Sequence, residues 1–358
     1  MMVEKALAPG TIIKGEKNSY RVTELLRSNG QGFTYKVTTT VGVGPRARLV
    51  SMVMREHMMV RCSDRADDGV TVVTAEDIAP TVESCMRSFA HASEERARVA
   101  ERCPWLIDVI DIFEANNTYY YVAEFLDGPN LQEYVESRGG RLTYEDAKEV
   151  LSPIFDATRA LHSNRILHTN ITPRHIKFVK TAKGMTPVLF SLYDTMHFGE
   201  KGVESWMLPV MSCTEGYAPP EQYSIIEHFY TQIDVYALAA TLVYALTGTN
   251  LPDSRTLTPD MVREILPSAL PETLVSAIIN ALDPDINQRT ASVTNFREEL
   301  QEFNVQPYKD TRVKSRDLAA EEEEENTPFS FSEMLKNHWW KFLIGAVMLG
   351  AIIKVIVS

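Results

Sequence analysis

Apolar and polar residues alternate with a period of two through Tyr20–Leu26, Phe33–Val37 and Leu49–Met54, the pattern of strands buried on one face. The stretch Ser28-Asn-Gly-Gln-Gly32 between the first two is rich in turn formers, so the three read as successive antiparallel strands. After an acidic turn around Asp64 to Gly69 the spacing becomes helical over Ala75–Arg102 and many positions are charged. This predicts an amphipathic helix on the surface of a small sheet. Two further strands are expected at Trp105–Phe113 and Thr118–Phe125, joined by the turn Glu114-Ala-Asn-Asn117.

Beyond Gly128 the apolar spacing is helical, over Leu131–Arg138, Tyr144–Ser163, Thr231–Thr247, Met261–Leu266, Pro271–Leu282 and Ser292–Phe303. A sheet-rich half followed by a helix-rich half is an α+β arrangement in two lobes. The expected organisation is an N-terminal tail at 1–10, a sheet lobe at 11–126 and a helical lobe at 127–306. A polar linker follows at 307–338, carrying the run Glu321 to Glu325, then an apolar segment at 339–357.

That last segment, Trp339 to Val357, is apolar apart from Lys341 and Lys354. About 19 residues at ~1.5 Å rise suffice to cross a hydrocarbon core of ~30 Å, so a transmembrane helix is expected there. The two lysines lie near its ends, where they can snorkel to the headgroups, and Trp339 and Trp340 suit the interface. The N-terminal residues carry no apolar signal region, so the lobes are expected in the cytoplasm, with membrane lipid met only through 339–357.

Composition narrows the function. A net charge of -12 argues against nucleic-acid binding, which needs a basic face. The cysteines Cys62, Cys85, Cys103 and Cys213 form no CxxC pair, so neither a zinc site nor a disulfide framework is signalled.

Motifs then point to a family. Gly216-Tyr-Ala-Pro-Pro-Glu-Gln-Tyr223 is similar to the segment that closes the activation loop of bacterial eukaryotic-like Ser/Thr protein kinases. Asp234-Val-Tyr-Ala-Leu-Ala-Ala-Thr-Leu resembles that family's helix with a buried structural Asp, and Gln288-Arg289 its late structural Arg. The resemblance runs from about Thr11 to Phe303 and implies a bilobal protein-kinase-like fold. It further implies that Glu221 pairs with Arg289 and that Asp234 holds the backbone of the His168 loop.

At the catalytic positions the chain departs from the family. A kinase positions ATP and its metal ions, one Asp receiving the substrate hydroxyl's proton and another holding magnesium. In place of the HRD triplet stands His168-Thr169-Asn170, and the Asn170 amide cannot act as a base. Five residues on, where an Asn ligates the second metal, stands His175, and at the DFG position stands Ser191-Leu192-Tyr193. Asp194 is the weak substitute metal ligand, since its odd offset in an extended segment points it to the opposite face. Arg55 takes the place of the strand Lys, with Glu95 as its expected helix partner, although Glu94 is a neighbouring choice. The glycine-rich loop becomes Arg27-Ser-Asn29-Gly-Gln-Gly32, keeping only Gly32 of the three glycines.

Scaffold positions kept and catalytic positions replaced imply a pseudokinase that acts on protein partners at a membrane surface. No cofactor is expected as a requirement, and three states of the cleft stay open: empty, occupied by ATP without magnesium, or filled by its own side chains. Two alternatives come from other classes. One is an active Ser/Thr kinase or nucleotidyl transferase with rearranged ligands, Asp194 and Glu95 supplying carboxylates. The other is a ligand sensor that uses the former ATP cleft.

Overall fold

The computed structural model describes residues 5–42, 44–181, 184–192, 195–198, 213–223 and 230–300. The expected linker at 307–338, the apolar segment at 339–357 and Asp194 lie outside the described residues, as do the last residues of the helix expected to reach Phe303. Among the described residues no helix is long and apolar enough to cross a membrane.

The N-terminal lobe is built on strands β1 (Ile12–Lys14), β2 (Ser19–Asn29), β3 (Gly32–Val41), β4 (Arg48–His57), β7 (Val109–Ala115) and β8 (Thr118–Glu124). They form one antiparallel sheet in the order β1-β2-β3-β4-β8-β7. Alternation sends Tyr20, Phe33, Tyr35, Met52, Met54, Phe113 and Tyr120 into a single core on one face. Tyr20 and Tyr120 both stack on Phe113, with ring centroids 5.9 and 5.2 Å away.

Set in that core is Glu56, fully buried and fully partnered. It takes both guanidinium nitrogens of Arg65 at 2.7 and 2.6 Å and the hydroxyls of Tyr35 and Tyr120 at 2.9 and 3.0 Å. A buried carboxylate is tolerable when all its lone pairs are used in this way. Arg65 arrives on a small hairpin, β5 (Ser63–Arg65) with β6 (Val72–Thr74), where the sequence pattern indicated only an acidic turn. Strands of three residues are too short to show a period.

Helix α1 (Ala79–Arg102) begins four residues later than the periodicity predicts, because Ile78 and Pro80 flank its first turn and proline is accommodated only there. It packs on β7 and β8. Trp105 and Leu106 precede β7 rather than belonging to it, and Leu106 instead bridges to Leu189.

The C-terminal lobe comprises α2 (Leu131–Ser137), α3 (Tyr144–Ser163), β9 (Ile166–Leu167), β10 (Ile176–Thr181), β11 (Gly184–Leu189), β12 (Met196–His197), α4 (Gln232–Thr247), α5 (Pro259–Ile265), α6 (Glu272–Ala281) and α7 (Val293–Glu299). Every residue of α4 from Ile233 to Leu246 is buried, so this helix is the axis on which α3, α6 and α7 pack. A helix apolar all round has to be central. The lobes are joined by the segment 125–130, which ends where Asn130 caps α2 in a reciprocal capping box with Glu133.

Candidate functional site

Two scaffolding arrangements brace the C-terminal lobe, and the first of them holds its central loop. Asp234, at the start of α4, is completely buried and accepts the backbone N–H groups of His168 and Thr169, each at 2.7 Å. It also accepts Nε2 of His162 at 2.8 Å. Burial opposes its ionisation, but the hydrogen bond and charge of His162 and the N–H donors outweigh this and hold the carboxyl below its usual range. Anchored in this way, Thr169 keeps a left-handed backbone, φ 65°. In the second arrangement Arg289, its side chain wholly buried, donates to both oxygens of Glu221 at 2.6 and 3.0 Å and to the Asp283 carbonyl at 2.8 Å. The structure thus brings together both scaffold pairs named from the sequence.

The residues at the expected catalytic positions also converge. Asn170 is 5% exposed, and its side-chain oxygen accepts from the Thr214 hydroxyl at 2.8 Å. His175 donates from Nδ1 to the Asn170 carbonyl at 2.7 Å and meets the Phe190 ring edge-on. Burial, acting with the charges of Arg27 and Arg174 against the raising effect of that carbonyl, pulls the His175 imidazole down to about 4, so it is neutral at pH 7. The imidazole of His168 donates from Nε2 to the Phe190 carbonyl at 2.8 Å. Ser191 is buried and left-handed, φ 70°, and its hydroxyl has no hydrogen-bond partner among the described residues.

Magnesium, which the fold implies, does not suit this donor set. At the two positions where the family holds its metal ions, an imidazole and a hydroxyl stand where a hard cation needs an amide oxygen and a carboxylate. Among the described residues no cluster of three His, Cys, Asp or Glu side chains is placed to hold a metal.

On the sheet side, Arg55 is buried on β4 and donates to the Asn29 side-chain oxygen at 2.7 Å and to the Thr34 hydroxyl at 3.3 Å. Gly32 adopts φ 132°, and a Cβ there would stand 2.0 Å from the Glu56 carbonyl. The retained glycine is therefore required by the close approach of β3 to β4. Arg27 is exposed on β2 at the cleft edge, near enough to His175 for its charge to be felt.

One expected pairing is corrected. Glu95 does not partner Arg55: its carboxylate lies 2.8 Å from His197 Nε2 on β12 and 3.5 Å from His91 one turn back on α1. Helical spacing identifies the charged stripe but not its rotation about the helix axis, and here Glu95 is turned toward β12. It is Arg96, buried beside it, that reaches across to the Thr195 carbonyl at 2.8 Å.

Sequence reasoning also passed over Thr214, Lys177 and His57. Thr214 lies two residues before the recognised Gly216 motif, and a motif read for scaffold residues gives its hydroxyl no role. Lys177 is an ammonium between buried Ile176 and Phe178 on β10, a polar position that strand alternation places on the opposite face. His57 ends β4 stacked on Phe89 with centroids 4.7 Å apart, and its Nε2 has no partner among the described residues.

The model of the protein kinase domain matches residues 79–306. The chain belongs to the protein kinase family. Serine/threonine-protein kinase B of Synechocystis sp. is 26% identical over 164 residues, 45% of this chain and 28% of that protein. Serine/threonine-protein kinase D of the same organism is 32% identical over 138 residues, 38% of this chain and 26% of that protein. The chain thus spans little more than a quarter of the length of these relatives.

Among solved structures, the apo form of PpkA-294 matches with a TM-score of 0.57 at 21% identity, over 83% of this chain and 99% of that one. The PknI kinase domain of Mycobacterium tuberculosis matches with a TM-score of 0.52 at 17% identity, over 83% and 100%. At such identities the likeness establishes the bilobal kinase fold. The family match begins at α1, so Arg27, Asn29 and Arg55 lie ahead of it, on strands recognised through their three-dimensional arrangement.

Proposed function

We propose that this kinase-family chain is a pseudokinase: it transfers no phosphoryl group, binds protein partners through its folded surface, and is held at a membrane by residues 339–357 with the lobes in the cytoplasm. The observation that carries the reading is the state of Asn170. Where a kinase needs a carboxylate to receive a proton, a buried neutral amide is fixed by Thr214. Its two companion positions, His175 and Ser191, supply no carboxylate. The scaffold around them is meanwhile well made, as expected of a fold kept for its shape.

The test is phosphotransfer by the full chain in detergent, with magnesium, manganese and ATP. No phosphate incorporation above a blank is expected, into the protein itself or into basic protein substrates. Incorporation that Asn170→Ala or Ser191→Ala abolishes would show a kinase with rearranged ligands and end the pseudokinase reading.

Anchoring is tested by fractionation. Full-length protein is expected to pellet with membranes and resist carbonate extraction, and a chain ending at Asn326 to stay in the supernatant. Sedimentation of the shortened chain would locate the membrane attachment in the lobes.

A further inference from the structure

The cleft between the lobes has a roof and a floor, and strand alternation shows which side chains line each. On β3 and β4, Tyr35, Val37, Met54 and Glu56 turn into the sheet core, so Thr34, Lys36, Val53 and Arg55 occupy the other face, Thr34 opposite Arg55 and Lys36 opposite Val53. On β10, Ile176 and Phe178 are buried in the C-terminal core, which leaves Lys177 on the opposite face. Its ammonium reaches the connecting segment and donates to the Leu126 carbonyl at 2.8 Å. The same nitrogen lies 6.0 Å from the centroid of the Phe125 ring, and Lys36 from the roof lies 4.5 Å from that centroid. Roof and floor thus both send a cation to one aromatic ring of the connecting segment.

A second closure lies deeper. Asn29 holds Arg55 at 2.7 Å, and the turn that follows is drawn onto the chain leaving β4. The Gln31 and Gly30 carbonyls accept from Met58 N at 3.0 Å and Val60 N at 3.1 Å. The turn amide of Gln31 is itself taken by Asn29 Oδ1 at 3.0 Å.

A purine nucleotide entering between the lobes needs apolar surfaces above and below the base and unengaged backbone groups at the connecting segment to read the base edge. It also needs donors at the hairpin turn for phosphate. Two of these groups are engaged here by the chain itself: the Leu126 carbonyl of the connecting segment by Lys177, and the Gln31 N–H of the turn by Asn29. The base would have to displace Lys177 from Leu126 and leave an ammonium without that carbonyl in a half-buried place.

We infer that the cleft is filled from within and that Lys177 is the residue that excludes a purine base, so the relative setting of the lobes is held without nucleotide. The inference rests on the pseudokinase reading and deepens it: of the three states the sequence left open, this one makes the domain a fixed docking surface and not a nucleotide-responsive one.

Adenosine separates the base slot from phosphate and metal chemistry. Full-length protein in detergent is titrated with adenosine, ADP and ATP, each with and without magnesium, and followed by thermal shift and equilibrium dialysis. The unaltered protein is expected to show no shift and no retained ligand up to millimolar concentration. Lys177→Leu is expected to bind adenosine at least tenfold more tightly and to melt higher in its presence. Should that variant not fold, Lys177→Met, unbranched and of similar length, serves in its place. Binding of adenosine or ATP to the unaltered protein overturns the inference, and so does a folded Lys177 variant that still rejects adenosine. Nucleotide binding without phosphate transfer sinks only this inference, whereas transfer of phosphate sinks the pseudokinase reading as well.

Discussion

Arg289→Ala is expected to destabilise the domain by about 3–5 kcal/mol, the cost of leaving one member of a buried ion pair uncompensated. The side chain is fully buried and makes two hydrogen bonds to Glu221, further bonds to the Asp283 and Gln232 carbonyls at 2.8 and 3.2 Å, and a cation–π contact with Tyr236 at 5.3 Å. Removing it strands a carboxylate that is itself only 12% exposed. At roughly 1.5–2 °C per kcal/mol for a domain of this size, the melting temperature should fall by about 5–10 °C. Glu221→Ala should act in the same direction, and Arg289→Lys should fall between, because a point charge cannot reproduce the planar fork. Unchanged melting temperatures for both alanine variants would mean that this pair contributes nothing to the large lobe.

Lowering the pH from 7 to 5 is expected to cost about 4 kcal/mol of stability, about 2 from each of two buried histidines. Burial, with the charge of Arg55 adding to it, pulls the His57 imidazole down to about 3, and His175 stands at about 4. Both lie below the ordinary value near 6.5, so the unfolded chain takes up these protons first. The stabilisation from keeping them neutral is therefore complete above pH 6.5 and is lost as the pH falls toward 4 and 3. Asp234, with its carboxyl held low, contributes only in the carboxylate range and does not enter this window. Urea denaturation at the two pH values measures the loss. His57→Phe, which keeps an aromatic ring against Phe89, should remove about half of it. A midpoint insensitive to pH, or a His57→Phe protein with the full dependence, would show that His57 does not titrate in this way.

Alternation and helical spacing made most of the scaffold legible. The strands at Tyr20, Phe33, Leu49 and Thr118 and the helices from Leu131 onward stand close to where their periods place them, because a half-buried strand and an amphipathic helix each repeat on their own length scale. The approximate positions of Asn170, His175 and Ser191 were legible from order along the chain, since the motif around Gly216 sets the frame. The hairpin β5–β6 was not, because its purpose is to deliver Arg65 to Glu56, a partner nine residues away in sequence that no local pattern marks.

What the sequence by itself determined is which residue types stand at the positions the family uses for catalysis. An amide, an imidazole and a hydroxyl stand where carboxylates and a metal-binding amide are needed, and that is a property of residue type alone. What only the tertiary structure decided is how the remaining side chains are used. Glu95 turned to His197 instead of Arg55, Arg55 took Asn29, and Lys177 reached the connecting segment at Leu126. Charge partners are chosen by distance across elements, and a rotation of one helix or the alternation of one strand redistributes them without changing any residue.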